Sequence, residues 1–139
     1  MGKKESLDKN KVILIDVNKT KPIEKYNKDR IHKIKKSIES KGWIKPIIVY
    51  HNFLEDVYHV LDGHHRRHIA KDMNLKKIPA IVVKKYKNIK IRSLRSEFSF
   101  DHSTVIKNSL AGDVYPYKTV KHDFNFDIQT IEISITELR

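Results

Sequence analysis

Cysteine is absent from this chain of 139 residues. Disulfides, zinc–thiolate sites and thiol nucleophiles are thereby excluded. Glycine and proline are scarce, at four each, so no Gly/Pro-rich linker divides the chain. A single domain spanning 1–139 is expected. Apolar runs are short, as in Val12-Ile13-Leu14-Ile15 and Ile81-Val82-Val83. None approaches the ~20 residues that cross a bilayer, and no signal-peptide core follows Met1. A Gly-rich phosphate loop ending in Lys-Ser/Thr is also missing, which excludes P-loop chemistry. The expectation is a soluble cytoplasmic protein with no membrane partner, flexible only in its polar start, Met1–Lys11.

Acids are the other shortage: 17 Asp and Glu stand against 29 Lys and Arg, for a net charge of +12. Such an excess implies anionic partners, whether nucleotides, nucleic acid or an anionic surface, without choosing among them. Lysine-rich surfaces also suit thermophile proteins. The lone glutamine, Gln129, fits that bias, whereas eight asparagines do not.

What is present reads as alternating strands and helices. Val12 to Val17 is a strand. Asn27 caps a helix whose apolar Ile31, Ile34 and Ile38 recur at spacings of three and four, and Gly42 closes it. Ile47 to Tyr50 and Val57 to Leu61 are strands joined by a polar turn around Asn52. Helical pattern resumes at His64, with Ile69, Ala70 and Met73 on one side, and Ile78 to Val83 is a further strand. Ser103 to Leu110 predicts one short helix, capped by Ser103 and ended by Gly112. Ile131, Ile133 and Ile135 alternate with polar residues, as in a half-buried strand. The order argues for an α/β or α+β layer.

One segment carries chemistry. A strand running into Asp62-Gly63-His64-His65-Arg66 and then a helix is suited to holding phosphate. Gly63 permits close approach, the first helical turn offers free N–H groups, Arg66 adds a bidentate contact, and two imidazoles add donors. Asp62 would repel phosphate unless it orients a magnesium ion or a hydroxyl; otherwise it serves as an N-cap. His64 and His68 have metal-ligand spacing, but no third ligand is indicated, so metal ligands stay unassigned. Trp43, beside Lys45 and Pro46, is either a packing residue or a ligand stacker.

Pro46-Ile47-Ile48-Val49, Tyr58 through Arg66 and Ile78-Pro79-Ala80-Ile81-Val82 together resemble the core of the ParB/sulfiredoxin superfamily. The resemblance implies a small mixed sheet with flanking helices, whose Gly-x-His-Arg turn holds nucleotide phosphates. Sulfiredoxin carries a cysteine where His64 stands, so that chemistry is excluded. ParB partition proteins follow the core with a helix-turn-helix domain, and none can be placed after Val83. The archaeal free serine kinases are similar over more of the chain. Lys21-Pro22-Ile23-Glu24 matches their early motif, Asp62 to Arg66 matches at every position, and Pro116-Tyr117-Lys118-Thr119-Val120-Lys121-His122 is similar to their serine-pocket motif. In the last of these Tyr117 is inserted, Val120 replaces a threonine and Lys121 an arginine.

That resemblance implies a phosphotransferase making O-phospho-L-serine for cysteine biosynthesis from free L-serine, with ATP or ADP as donor and Mg2+ as cofactor. Glu24 would be the catalytic base and Asp62 its partner in orienting hydroxyl or metal. Gly63, His64, His65 and Arg66 would hold phosphate, and Trp43, Lys118, Thr119 and His122 would form the substrate side. No specific nucleic acid is then expected. The alternative is a non-catalytic ParB-like module that binds nucleotide and DNA, favoured by charge alone.

Overall fold

The computed structural model describes residues 11–139. The expectation of a flexible Met1–Lys11 therefore lies, except for Lys11, outside the described residues. In chain order the elements are β1 (Val12–Asp16), β2 (Thr20–Lys21), α1 (Lys28–Lys41), β3 (Ile47–Asn52), β4 (Val57–Asp62), α2 (His64–Asp72) and β5 (Lys77–Val83). They continue with β6 (Lys90–Ser93), α3 (His102–Ala111), β7 (Val120–Asp123) and α4 (Ile135–Leu138). A five-stranded mixed sheet runs β1-β5-β3-β4-β2, and β6 and β7 form a separate antiparallel pair. This is the mixed α/β architecture the sequence pattern predicts. Among the described residues no helix is long and apolar enough to cross a membrane.

Both faces of the large sheet are covered, which is why its strands read as unbroken apolar runs. Ile47 and Val49 of β3, Val60 of β4 and Ile78 and Ala80 of β5 point to one core, shared with Ile38, Trp43, Ile69 and Leu138. Their neighbours Ile48, Leu61 and Ile81 point the other way, to a core with Ile23, Tyr86, Val105, Tyr115 and Val120. The register of β3 against β4 slips by one between Ile48 and Val49, so Ile48 faces Asp62 while Val49 faces Val60. A bulge at this point bends the end of β4 and re-aims Asp62.

Local signals set the helix ends. The Asn27 side chain accepts from Asp29 N at 2.9 Å, capping α1, and Gly42 terminates it with φ of 76°. At α3 the structure corrects the cap: Asp101, not Ser103, accepts from Thr104 N and Thr104 Oγ1, both at 2.8 Å. A carboxylate with its backbone already extended outcompetes a serine two residues on. Gly112 closes α3 as expected.

The half-buried strand expected at Ile131–Ile135 is shorter than its pattern. Trp43 and Ile133 exchange backbone hydrogen bonds at 2.8 and 3.1 Å, and Ile131 N donates to Ile44 O at 2.9 Å. The alternation is thus real and packs Ile131, Ile133 and Ile135 on the first core. Ser134 then caps α4 through Glu137 N, turning the chain into a helix at Ile135.

Candidate active site

Gly63 makes the turn from β4 to α2 with φ of 104° and ψ of 30°. A side chain there would be strained, and its Cβ would drive into Ile47 of the central strand. Glycine is therefore required as much by the core beneath the turn as by anything that binds above it. With glycine at the N-cap, no side chain caps α2. Its N-terminus opens instead on a cavity of about 630 Å³, whose wall includes Glu24, Asp62, Gly63, His64 and His65. Tyr117, Lys118, Lys121 and His122 face it from the later part of the chain, with Arg30 from α1 and Arg92 from β6. Residues remote in sequence thus meet around one uncapped helix end, which is a ready anion site.

Glu24 is held from across this cavity. Its Oε1 accepts from Lys118 N at 3.2 Å, and its Oε2 from Thr119 N at 3.2 Å and Val120 N at 3.0 Å. Lys118 takes a left-handed backbone, φ 55°, that turns these successive N–H groups inward. Burial pushes the Glu24 carboxyl above its usual range, against the opposing pull of the three N–H donors. A carboxylate has about four acceptor positions, so one on Oε1 is left for a further proton donor.

The two histidines differ from expectation. His64 Nε2 accepts from Ile23 N at 3.1 Å and Glu24 N at 3.3 Å, and His65 Nε2 accepts from Asn27 N at 3.0 Å. A backbone N–H can only donate, so neither Nε2 serves as the donor that the sequence reading assigned. In the neutral rings the proton sits on Nδ1. Burial holds His64 neutral, its pKa down to about 3, and lowers His65 as well, with Arg30 and Arg66 adding to the effect.

Other members fall in different places. Asp62 lies in the cavity wall at the end of β4 and is not an N-cap. Arg66 and Arg30 line an adjacent cavity of about 410 Å³ with Lys33, Ile34, Ile38, Trp43 and Ile44, so Arg30 belongs to both spaces. Trp43, read from sequence as either a packing residue or a ligand stacker, is fully buried in the first core and backs this second cavity, not the one that Glu24 lines. Thr119 is corrected too. Its hydroxyl donates to Pro116 O at 2.7 Å inside the protein, so only its N–H serves the site. His122 is buried, 2.7 Å from the Tyr86 hydroxyl through Nε2, while its Nδ1 has no partner. Burial lowers its pKa to about 4, so it is a neutral polar group on the cavity wall.

Sequence reasoning missed Arg30, Lys33 and Arg92. Each is one basic residue among many, and nothing in local pattern marks them. Among the described residues no cluster of three His, Asp or Glu side chains forms a metal cage. The arrangement can hold an anionic ligand at the α2 N-terminus and present a hydroxyl to Glu24.

Residues 1–96 match the family described as the ParB N-terminal domain. The chain belongs to that family. Over 83 residues it is 37% identical to an ATP-dependent L-serine kinase of Staphylothermus marinus, a match covering 58% of this chain and 33% of the relative. The chain thus spans about a third of the length of that curated relative. Among solved structures, a free serine kinase in complex with AMP has a TM-score of 0.84 at 14% identity, covering 92% of this chain and 93% of the other. A variant of a free serine kinase in complex with ADP gives the same score and identity, covering 92% and 94%. At that identity the likeness establishes a common fold.

Proposed function

We propose that the chain is a kinase that transfers a phosphoryl group from ATP or ADP to the hydroxyl of free L-serine, giving O-phospho-L-serine. The observation that carries this reading is the pairing of an uncapped helix N-terminus with the Glu24 carboxylate on one cavity. A phosphate site alone would suit any nucleotide binder. A half-buried carboxylate with raised proton affinity and one free acceptor position suits the removal of a proton. The serine kinase among the relatives and the two nucleotide-bound structures of the same fold support the choice.

In this reading the first-turn N–H groups of α2, with Arg66 and Arg30, bind the phosphates, and the apolar wall of Ile34 and Ile44, backed by the buried Trp43, receives the nucleotide base. The serine hydroxyl gives its proton to Glu24 as its oxygen bonds to phosphorus. The bond from phosphorus to the bridging oxygen breaks, and the nucleotide leaves one phosphate shorter. Lys118 and the neutral His122 face the amino acid. Asp62 fits a magnesium ion bound chiefly by phosphates and water, as one carboxylate in the wall is what such an ion commonly takes from protein. The ion would supply positive charge against the transferring phosphoryl group.

The test is to incubate the protein with serine, magnesium and each nucleotide, and to look for O-phosphoserine by mass spectrometry. Glu24→Gln is expected to abolish product while nucleotide affinity, measured by calorimetry, stays nearly unchanged. Near-normal turnover in that variant would remove Glu24 as the base. The net charge of +12 favours a second reading, a ParB-like module that binds nucleotide and DNA without turnover. Sequence-selective DNA binding that survives physiological salt, with no O-phosphoserine, would decide for it.

A further inference from the structure

Residues 20–27 pair with the sheet only at Thr20 and Lys21, so the backbone beyond them must find its partners elsewhere. Arg67 donates to Thr20 Oγ1 at 2.8 Å and Thr20 O at 3.2 Å. Ser109 Oγ donates to Pro22 O at 2.9 Å. Ile23 N and Glu24 N both donate to His64, and Asn27 N to His65. Three side chains of α2 therefore hold the segment that carries Glu24, and the same helix presents its free N-terminus to the cavity.

The hold from α3 is itself braced. Because Ser109 donates to Pro22 O, it must accept from His59 Nδ1, 2.8 Å away in the interior. The other nitrogen of His59 lies 3.2 Å from Asn52 Nδ2. This buried series fixes the height of Pro22 above the sheet. Tyr115 holds the same stretch by its backbone, its N–H donating to Ile23 O at 3.0 Å and its carbonyl accepting from Lys25 N at 2.9 Å, which leaves the N–H groups of Ile23 and Glu24 for His64.

We propose that His64 is a positioning residue whose Nε2 sets where the Glu24 carboxylate stands relative to phosphates bound at the α2 N-terminus. The proposal rests on the kinase reading for its consequence in turnover, but not for its geometry. Glutamine can bring Oε1 to about the reach of the imidazole Nε2 and accept the same bonds. Leucine fills similar space and leaves two buried N–H groups unpaired.

The experiment compares wild type, His64→Gln and His64→Leu in kcat, in KM for serine and in nucleotide Kd. It adds the 15N spectrum of the His64 ring and the amide signal of Glu24 with and without ADP. The leucine variant is expected to lose kcat about 30-fold or more with nucleotide Kd within about twofold, and glutamine to recover most of that loss. The ring should show an unprotonated Nε2 that ADP does not perturb. A leucine variant whose nucleotide Kd weakens in step with kcat would make the ring a phosphate ligand and overturn the proposal. So would a glutamine variant no better than leucine, or a protonated Nε2. Absence of O-phosphoserine from wild type would instead sink the kinase reading. The ring nitrogens and the Glu24 amide would then still decide, as they would if His64→Leu failed to fold.

Discussion

Two helices begin within hydrogen-bonding reach of one another and treat their N-termini in opposite ways. At α1 the Asn27 side chain closes the first turn, and the helix end is spent on stability. At α2 the corresponding position is Gly63, which has no side chain to offer, and the first turn stays open to the cavity. The other two helices, α3 and α4, are capped by Asp101 and Ser134 in the manner of α1. The difference teaches that, among the described helices, a glycine end without a capping side chain costs only about a few tenths of a kcal/mol and is accepted at one place, where an anion can take the cap's role. The two ends are also tied together, since His65 near the start of α2 accepts from Asn27 N at the start of α1.

Acid should break this comparison most severely. The cap of α1 is an amide and does not titrate, whereas the grip of α2 on residues 23–27 needs unprotonated rings. His64 titrates at about 3, and the buried His59 and His122 at about 4, against 6.5 for an unfolded chain. Below pH 6.5 the unfolded chain gains protons that the fold refuses. Stability present above that value is therefore lost as pH falls toward 4, with ~1.4 kcal/mol per pH unit as the upper bound for each ring and less where solvent reaches it. Chemical denaturation at a series of pH values checks this. A flat profile from pH 7 to 4 would mean that the rings are not held neutral.

The next effect is at the glycine. Gly63→Ala should destabilise the protein by about 3–4 kcal/mol, combining left-handed strain with the collision against Ile47. Thermal unfolding should show a drop of roughly 10 °C. A loss of nucleotide binding with unchanged stability would mean that the glycine serves only the ligand.

The smallest effect sharpens the contrast from the other side. Asn27→Ala should cost about 1 kcal/mol, the ordinary worth of a cap. The Asn27 backbone N–H, which His65 uses, survives the change, so nucleotide Kd should stay within about twofold. Calorimetry and thermal unfolding on the same variant separate the two quantities.

Local patterning determined a good deal of this protein. The 3-4 spacing of Ile31, Ile34 and Ile38, the Asn27 and Gly42 boundaries and the apolar strands were all legible, because each depends on neighbours a few residues away. Asp62 to Arg66 was legible as a strand–turn–helix for the same reason. Distance in sequence hid the rest. Nothing near Glu24 shows that Lys118, Thr119 and Val120 will donate to it, or that Thr119 will turn its own hydroxyl inward to Pro116. The pattern around Trp43 does not say which of two cavities the indole will wall. His64 and His65 are donors or acceptors according to what is brought against them, and here packing brings backbone N–H groups from residues 23–27. A ring nitrogen takes its role from its partner, and only the tertiary structure chooses the partner.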